Sequence, residues 1–191
     1  PGPLDQAWAE VCRRLGRAGP VLAYADGIIN NFRVPGVDGE YDPRIQRPQS
    51  LRLLVPTIDN REERIFYLTQ VAVLMHAAPA VEVATRLQEC VLADDVAAAK
   101  PLLIGLRDLL QRVTDVTFMT IDPNPASATH VDATVWTRTV ANTFLPFRPG
   151  PPGPSGTASP VIHLLDVLLG RKDYRASKIS VETLELRHHF P

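Results

Sequence analysis

The sequence contains little cysteine. Its 191 residues include two, Cys12 and Cys90, which lie too far apart to form a metal-spaced pair and are too few to form a disulfide framework. A small secreted domain held together by disulfides is therefore excluded as a class, and a reducing compartment is expected.

The sequence also lacks an excess of either charge. Its 20 Lys and Arg residues against 21 Asp and Glu residues give a formal net charge of -1, so the composition offers no electrostatic basis for binding nucleic acid. No apolar run reaches the roughly 18 residues that span a bilayer, and the amino end lacks the basic-then-apolar pattern of a signal peptide. The composition therefore predicts a cytoplasmic protein with neither a nucleic-acid partner nor a membrane partner.

Several common catalytic motifs are missing as well. The chain has no glycine-rich phosphate loop, no HExxH zinc motif and no Ser/His/Asp order of the hydrolase type. Its length is that of about one domain and is sufficient to bury a core, so residues 1–191 are expected to form a single domain.

Helical periodicity is the dominant pattern that the sequence does have. Apolar spacing and capping residues predict helices over 4–17, 61–77, 79–92, 101–119 and 160–170. The second of these is apolar on nearly every side, which is typical of a buried helix, and Asn60 precedes it as a good N-cap. Pro101 is expected to be the first residue of its helix, the position that proline tolerates best. No alternating run predicts a sheet, so the expected fold class is all-α.

Other stretches give weaker patterns. Residues 20–57 are interrupted by five prolines and are expected to run irregularly over the surface. Residues 134–145 remain open between strand and helix, and residues 146–159 are expected to form a loop rich in proline and glycine. The first helix is expected to bury one apolar face, made of Leu4, Ala7, Trp8, Val11, Cys12 and Leu15.

Histidine provides the clearest candidate chemistry. His76 lies within the apolar helix 61–77 and is surrounded in sequence by small residues, namely Ala72, Ala77, Ala78 and Ala80. Two interpretations stay open: a core histidine bonded to a backbone carbonyl, or a histidine that faces a ligand cavity.

The remaining histidines carry weaker hypotheses. His163 and Asp166 lie one turn apart, so the carboxylate is expected either to orient the ring or to pair with an arginine such as Arg187; a polar face in solvent is the alternative. His188 and His189 are expected either to be exposed or to ligate a metal ion. Because adjacent residues point in different directions on a helix, we do not expect both to bind one ion.

A small polar loop stands directly before the last predicted helix, in the stretch "SGTASPVIHLLDVLLG". Together with "LRDLLQRVTDVTFMTIDP", "HVDATVWTRTVANTF" and "RIFYLTQVAVLMH", it resembles the tryptophan and indoleamine 2,3-dioxygenase superfamily of heme-dependent aromatic oxygenases. The likeness covers about residues 59–191. The loop and "LRHHFP" look most like the bacterial branch that contains the pyrrolnitrin-pathway enzyme and the heme-dependent L-tyrosine hydroxylases.

This resemblance implies a helical bundle, heme b as cofactor and an activity. The implied reaction is hydroxylation of L-tyrosine to L-DOPA, with hydrogen peroxide as oxidant, in antibiotic biosynthesis. A heme enzyme acting on a tryptophan-derived indole is one alternative, and a non-catalytic helical interaction protein is another. A homo-oligomer is also expected.

The resemblance also implies roles for individual residues. Ser155, Gly156, Ala158 and Ser159 would border the heme, and Thr157 would contact the substrate. Trp136 would wall the aromatic ring, with a role in the core as the alternative. Arg138 would bind the substrate carboxylate, with Arg148 as second choice, and a plain surface position is the alternative for each arginine.

Two positions depart from the family pattern. Gln70 stands where the tryptophan dioxygenases have their distal histidine, so His76 is expected to act as general base instead. The proximal iron ligand is not assigned: its helix is expected beyond Pro191, with recruitment of His188 or His189 as the alternative.

Overall fold

The protein is described by a computed structural model that covers residues 2–16, 24–35, 51–116, 122, 124–144 and 158–171. Within these residues the α-helices are α1 (Pro3–Arg14), α2 (Arg61–Ala77), α3 (Pro79–Leu92), α4 (Val96–Val116), α5 (Ala133–Arg138) and α6 (Pro160–Leu168). The all-α prediction is confirmed, and the bounds of α2 and α3 agree with those predicted from the sequence.

Shorter elements connect these helices. A π-helical turn spans Ala25–Ile29, and a 3-10 turn spans Val140–Phe144 directly after α5. Strands β1 (Phe32–Arg33) and β2 (Arg52–Leu53) pair antiparallel, with Phe32 opposite Leu53 and Arg33 opposite Arg52. This two-residue ribbon is a minor correction to the expectation that the chain forms no sheet.

The start of α2 is fixed by a set of hydrogen bonds. Asn60 Oδ1 accepts the backbone N–H of Glu63 at 2.8 Å, as its N-cap prediction requires. The buried Glu63 carboxylate turns back and accepts the backbone N–H groups of Thr57 (2.7 Å), Ile58 (3.0 Å) and Asp59 (2.7 Å). Asp59 has a φ of 61°, in the left-handed region, so these bonds hold a turn that a non-glycine residue rarely adopts.

The predicted start of α4 is wrong by five residues. The helix begins at Val96 and carries Pro101 in its interior. Asp95 explains the early start, since its Oδ1 accepts the N–H of Ala98 at 2.9 Å and so supplies a cap before the proline. Pro101 lies in the second turn of α4, where its missing N–H removes one helical hydrogen bond.

The main core is built around α2. A buried cluster brings Tyr67, Leu68 and Val71 of α2 together with residues from the segment that was expected to lie on the surface, namely Tyr24, Ile28 and Leu51, and with Val140 and Ala158. The surface expectation for residues 20–57 is therefore wrong at Tyr24, Ile28 and Leu51, whereas Ile29, Leu54 and Val55 of the same segment are exposed. Regular periodicity was missing there because the buried residues lie on short, irregular elements.

Another apolar layer joins the helical hairpin to α6. Ala80 and Leu87 of α3 pack with Leu106 of α4, and the apolar side of α6 lies against them through Leu164 and Leu168. This packing positions the amino end of α6 close to α2.

Two expectations about exposure need correction. On α1 the predicted core face buries Cys12 but leaves Trp8 45% exposed and Val11 46% exposed. The stretch Arg61–Leu92 is long and apolar enough to cross a membrane by length and composition, contrary to the sequence-based expectation. Half of its most apolar window is buried within the protein, as is usual for a core helix.

Candidate active site

Three polar side chains from separate elements meet beside α2. Tyr24 precedes the π-helical turn, Gln70 lies in the middle of α2, and Ser159 is the N-cap residue of α6. The Tyr24 hydroxyl donates to Oε1 of Gln70 at 3.3 Å and also forms a hydrogen bond with the Ser159 side chain. Because a phenol has one proton to donate, the Ser159 hydroxyl is the donor in the second bond.

Burial shapes the chemistry of this cluster. Tyr24 and Ser159 are both buried, and burial raises the pKa of Tyr24 above its ordinary value, while the Ser159 bond opposes that shift. Tyr24 is therefore a neutral donor at physiological pH. Ser159 is the N-cap residue of α6 but makes no side-chain capping bond to the helix, and its hydroxyl bonds Tyr24.

An aromatic wall stands next to the polar cluster. The rings of Phe66 and Trp136 lie 5.3 Å apart at a tilted angle of 53°, and Phe66 is one turn before Gln70 on α2. Trp136 is held by α5, whose first turn is capped by Asp132 through bonds to the N–H groups of Thr134 (2.8 Å) and Val135 (2.9 Å). These two bonds, with Val135 foremost, lower the pKa of Asp132 and keep the cap charged.

An apolar cavity of about 430 Å³ lies where the end of α2 approaches α6, and Leu74, one turn after Gln70 on α2, is part of its lining. Its lining includes the small residues Ala77 and Ala78 and the first turn of α6, Pro160 and Val161. The volume lies within the usual range for ligand pockets.

The structure brings together some of the residues predicted to form the site. Trp136 and Ala158 both pack at the main core cluster, and Ser159 bonds Tyr24 at its edge. Ser155, Gly156 and Thr157 lie outside the described residues, as do Arg148, Arg187, His188 and His189.

Two predicted residues lie apart from this assembly. His76 is half-buried in the last turn of α2, six residues after Gln70, which places it about 120° away around the helix. Arg138 is exposed, and its position two residues after Trp136 puts it on roughly the opposite side of α5. Their proposed roles as base and carboxylate partner stay predictions.

His163 and Asp166 are both buried, with exposures of 7% and 3%. The solvent-facing alternative is therefore wrong, and the expected pairing with an arginine is found with Arg171, at 3.6 Å from the Asp166 carboxylate. Within the described part of the chain, no group of three His, Cys, Asp or Glu side chains could hold a metal ion.

The sequence reasoning missed Tyr24. The residue lies in the proline-interrupted segment that was expected to be at the surface, and nothing in the regular helical pattern marks it. Its burial and its bond to Gln70 became visible only once the segment was placed against α2.

A comparison with known families decides the assignment of the chain. The model of the family described as indoleamine 2,3-dioxygenase matches residues 1–127, which is more than half of the chain. The chain belongs to the indoleamine 2,3-dioxygenase family. The match includes Tyr24, Gln70 and His76 and ends before α5 and α6. A comparison with curated proteins found no match.

Membership in the family settles the general chemistry. The family's enzymes are heme-dependent oxidoreductases that act on aromatic substrates, so the chain is a heme-dependent aromatic oxygenase with heme b as cofactor. The apolar lining of the cavity beside α6 suits the flat, apolar macrocycle of heme. Small side chains at Ala77 and Ala78 permit its close approach.

Proposed function

We propose that the protein hydroxylates L-tyrosine at ring position 3 to give L-DOPA, with hydrogen peroxide as oxidant, in antibiotic biosynthesis. The observation that carries this proposal is the position of the Phe66–Trp136 wall beside the Tyr24–Gln70–Ser159 cluster. A phenol has an apolar ring and one polar oxygen, and the site offers an aromatic surface next to hydroxyl and amide groups.

The reaction balances without a further reductant. One peroxide oxygen is inserted into a ring C–H bond, and the other leaves as water. Heme, when bound, supplies the redox chemistry of this exchange, and Ala77, Ala158 and Pro160 are the described residues that we propose to lie against it.

The chain's own groups would orient the phenol. The amide of Gln70 keeps an N–H₂ donor beyond its bond to Tyr24, so it would hold the substrate's phenol oxygen. Trp136 and Phe66 would fix the ring plane and exclude water from one face. For the substrate carboxylate the proposal keeps Arg138, with Arg148 as second choice, because a guanidinium pairs with a carboxylate in a bidentate manner.

Proton transfer is assigned to His76 as a proposal. Imidazole is the side chain that enzymes use most often as a general acid or base, and small residues flank His76 at Ala77 and Ala78. Because His76 lies about 120° from Gln70 around α2, a variant of Gln70 is the comparison that we use in the test of that role.

A second function is favoured by the family match. The matching model is that of indoleamine 2,3-dioxygenase, and the same aromatic wall and polar groups would accept an indole ring with its N–H bonded to Gln70. In that case both oxygen atoms of O₂ would enter one product.

The experiment that separates these functions measures the product. The heme-loaded protein is incubated with L-tyrosine and peroxide, and in parallel with L-tryptophan under ¹⁸O₂, and products are identified by mass spectrometry. We expect a tyrosine product with one added oxygen atom. An indole product carrying two labelled oxygen atoms would replace the first proposal with the second, and no product from either substrate would favour a binding protein.

A further inference from the structure

A second cavity, of about 600 Å³, lies against a different side of α2. Arg61, Ile65 and Leu68 line it and fall within about 60° of one another around the helix. Phe66 and Gln70 of the candidate active site lie roughly opposite, at about 140° and 180° from Arg61. The cavity is therefore separate from the site described above.

Four arginines from three elements line this cavity. Arg33 belongs to β1, Arg52 to β2, and Arg61 and Arg64 to the first turn of α2. Among the described residues that line it, Asp59 is the one carboxylate. The lining thus has a strong positive excess in a protein whose formal net charge is -1.

Two of these arginines are placed directly opposite each other. Arg33 and Arg52 are register partners across the β1–β2 ribbon. Like charges at opposed positions of an antiparallel pair are destabilising, and an anion bound between them would remove that repulsion.

Arg61 leaves hydrogen-bond capacity for such an anion. Arg64 pairs with Asp59 at 2.6 Å, Arg52 donates to the backbone carbonyl of Leu51 at 2.9 Å, and Arg61 donates from one nitrogen to the backbone carbonyl of Ser127. A guanidinium has five N–H donors in a planar fork, so Arg61 keeps donors in addition to that bond. Because the charge of Arg64 is already paired with that of Asp59, we do not count Arg64 among the residues that would bind the anion head.

The floor of the cavity has a different character. Leu51, Leu53, Pro56, Ile65 and Leu68 supply apolar surface, and Leu51 and Leu68 are buried in the main core. A bare inorganic anion would leave this surface uncovered.

We propose that this cavity binds an organic anion, with a compact apolar or aromatic body over the leucine floor and a carboxylate or phosphate head between Arg33, Arg52 and Arg61. The proposal does not depend on the reaction proposed above, since the cavity lies on another side of α2.

The test uses three naphthalene probes with the heme-loaded protein. 1-Naphthyl phosphate and 1-naphthoate carry the anionic head, and 1-naphthol is the neutral analogue. Binding is measured by titration calorimetry, with excess L-tyrosine in one series and excess L-tryptophan in another, so that either candidate substrate blocks the active site. We expect at least one anionic probe to bind at least 10-fold more tightly than 1-naphthol, with an affinity that falls as salt rises. Which anion binds more tightly decides between the phosphate and carboxylate heads.

Substitutions locate the binding. Arg33→Met keeps an unbranched stem at an exposed position and removes the charge, and it should weaken binding of the anionic probe at least 5-fold without changing binding of 1-naphthol. Arg107→Met is the matched control, because Arg107 is an exposed arginine on α4 paired with Asp108, and it should change affinity by less than about 2-fold. Equal affinity for the neutral and anionic probes in the unsubstituted protein would overturn the proposal, and so would equal losses in the two variants.

Discussion

The hydroxyl of Tyr24 lies 3.3 Å from Oε1 of Gln70 and joins a segment expected at the surface to the middle of α2. With Ser159 as its second partner, Tyr24 connects three elements that are far apart in the sequence. The amide orientation of Gln70 is thereby fixed, with Oε1 toward Tyr24 and the N–H₂ group left for another acceptor.

Tyr24→Phe tests whether this orientation matters for turnover. The variant keeps the ring and removes the hydroxyl, so we expect kcat/KM for the aromatic substrate to fall about 3- to 10-fold, the equivalent of one hydrogen bond. Tyr67→Phe is the matched control, because Tyr67 is an equally buried tyrosine whose hydroxyl bonds Thr143. It should lower thermal stability and leave kcat/KM within about 2-fold. Equal losses of kcat/KM in both variants would show that the Tyr24 bond stabilises the fold and has no specific effect on turnover.

His76→Asn tests the proposed general base. The asparagine fills similar space without titrating, and if His76 moves the proton, turnover should fall by about 10²-fold while heme binding, read from the Soret band, is kept. Gln70→Leu is measured alongside, since Gln70 lies on the side of α2 that carries Phe66. Normal turnover in His76→Asn together with slow turnover in Gln70→Leu would contradict the role of His76 and would show that turnover depends on the polar group of Gln70.

Alkaline pH should destabilise the fold through two tyrosines. Burial raises the pKa of both Tyr24 and Tyr67, so the folded state holds their protons more firmly than the unfolded chain. The contribution of these two tyrosines to the free energy of unfolding is therefore complete below about pH 10. It is lost as pH rises through the folded pKa values, by at most about 1.4 kcal/mol per pH unit for each tyrosine. Urea unfolding of the unsubstituted protein and the double Phe variant over this range measures the difference. If the free energy of unfolding of the double variant falls with pH as steeply as that of the unsubstituted protein, the pH dependence does not come from Tyr24 and Tyr67.

Glu63→Gln tests the turn before α2. Glutamine offers one acceptor oxygen and a donor N–H₂ group where the carboxylate accepts three backbone N–H bonds. We expect the free energy of unfolding to fall by about 2–4 kcal/mol, because three partly buried bonds from backbone N–H groups to the carboxylate are lost or weakened. Glu82→Gln, at an exposed position of α3, should change it by less than about 0.5 kcal/mol. A similar small change at Glu63 would mean that the turn is held by other contacts.

The sequence predicted the regular helices best where local signals agreed. Asn60 as cap, the apolar run after Arg64 and Pro79 at the start of α3 fix their helices through neighbouring residues, and the observed bounds follow. Pro101 misled the prediction because the competing signal, the Asp95 cap, stands six residues earlier.

The candidate site was harder to predict because it depends on contacts between distant segments. Trp136 and Ser159 could be named from the resemblance to a known family, but the bond from Ser159 to Tyr24 follows from tertiary packing that no local pattern encodes. The same holds for Asp166, which is buried although its helix is short and polar on that side.

The Glu63 carboxylate also gives the turn before α2 a kinetic property. Three loop amides, at Thr57, Ile58 and Asp59, share a single acceptor that belongs to the first turn of the helix. Their exchange with solvent deuterium therefore requires one event, the withdrawal of Glu63, and not three independent fluctuations. A segment without regular secondary structure would then open at one common rate with the end of α2, as a single cooperative unit.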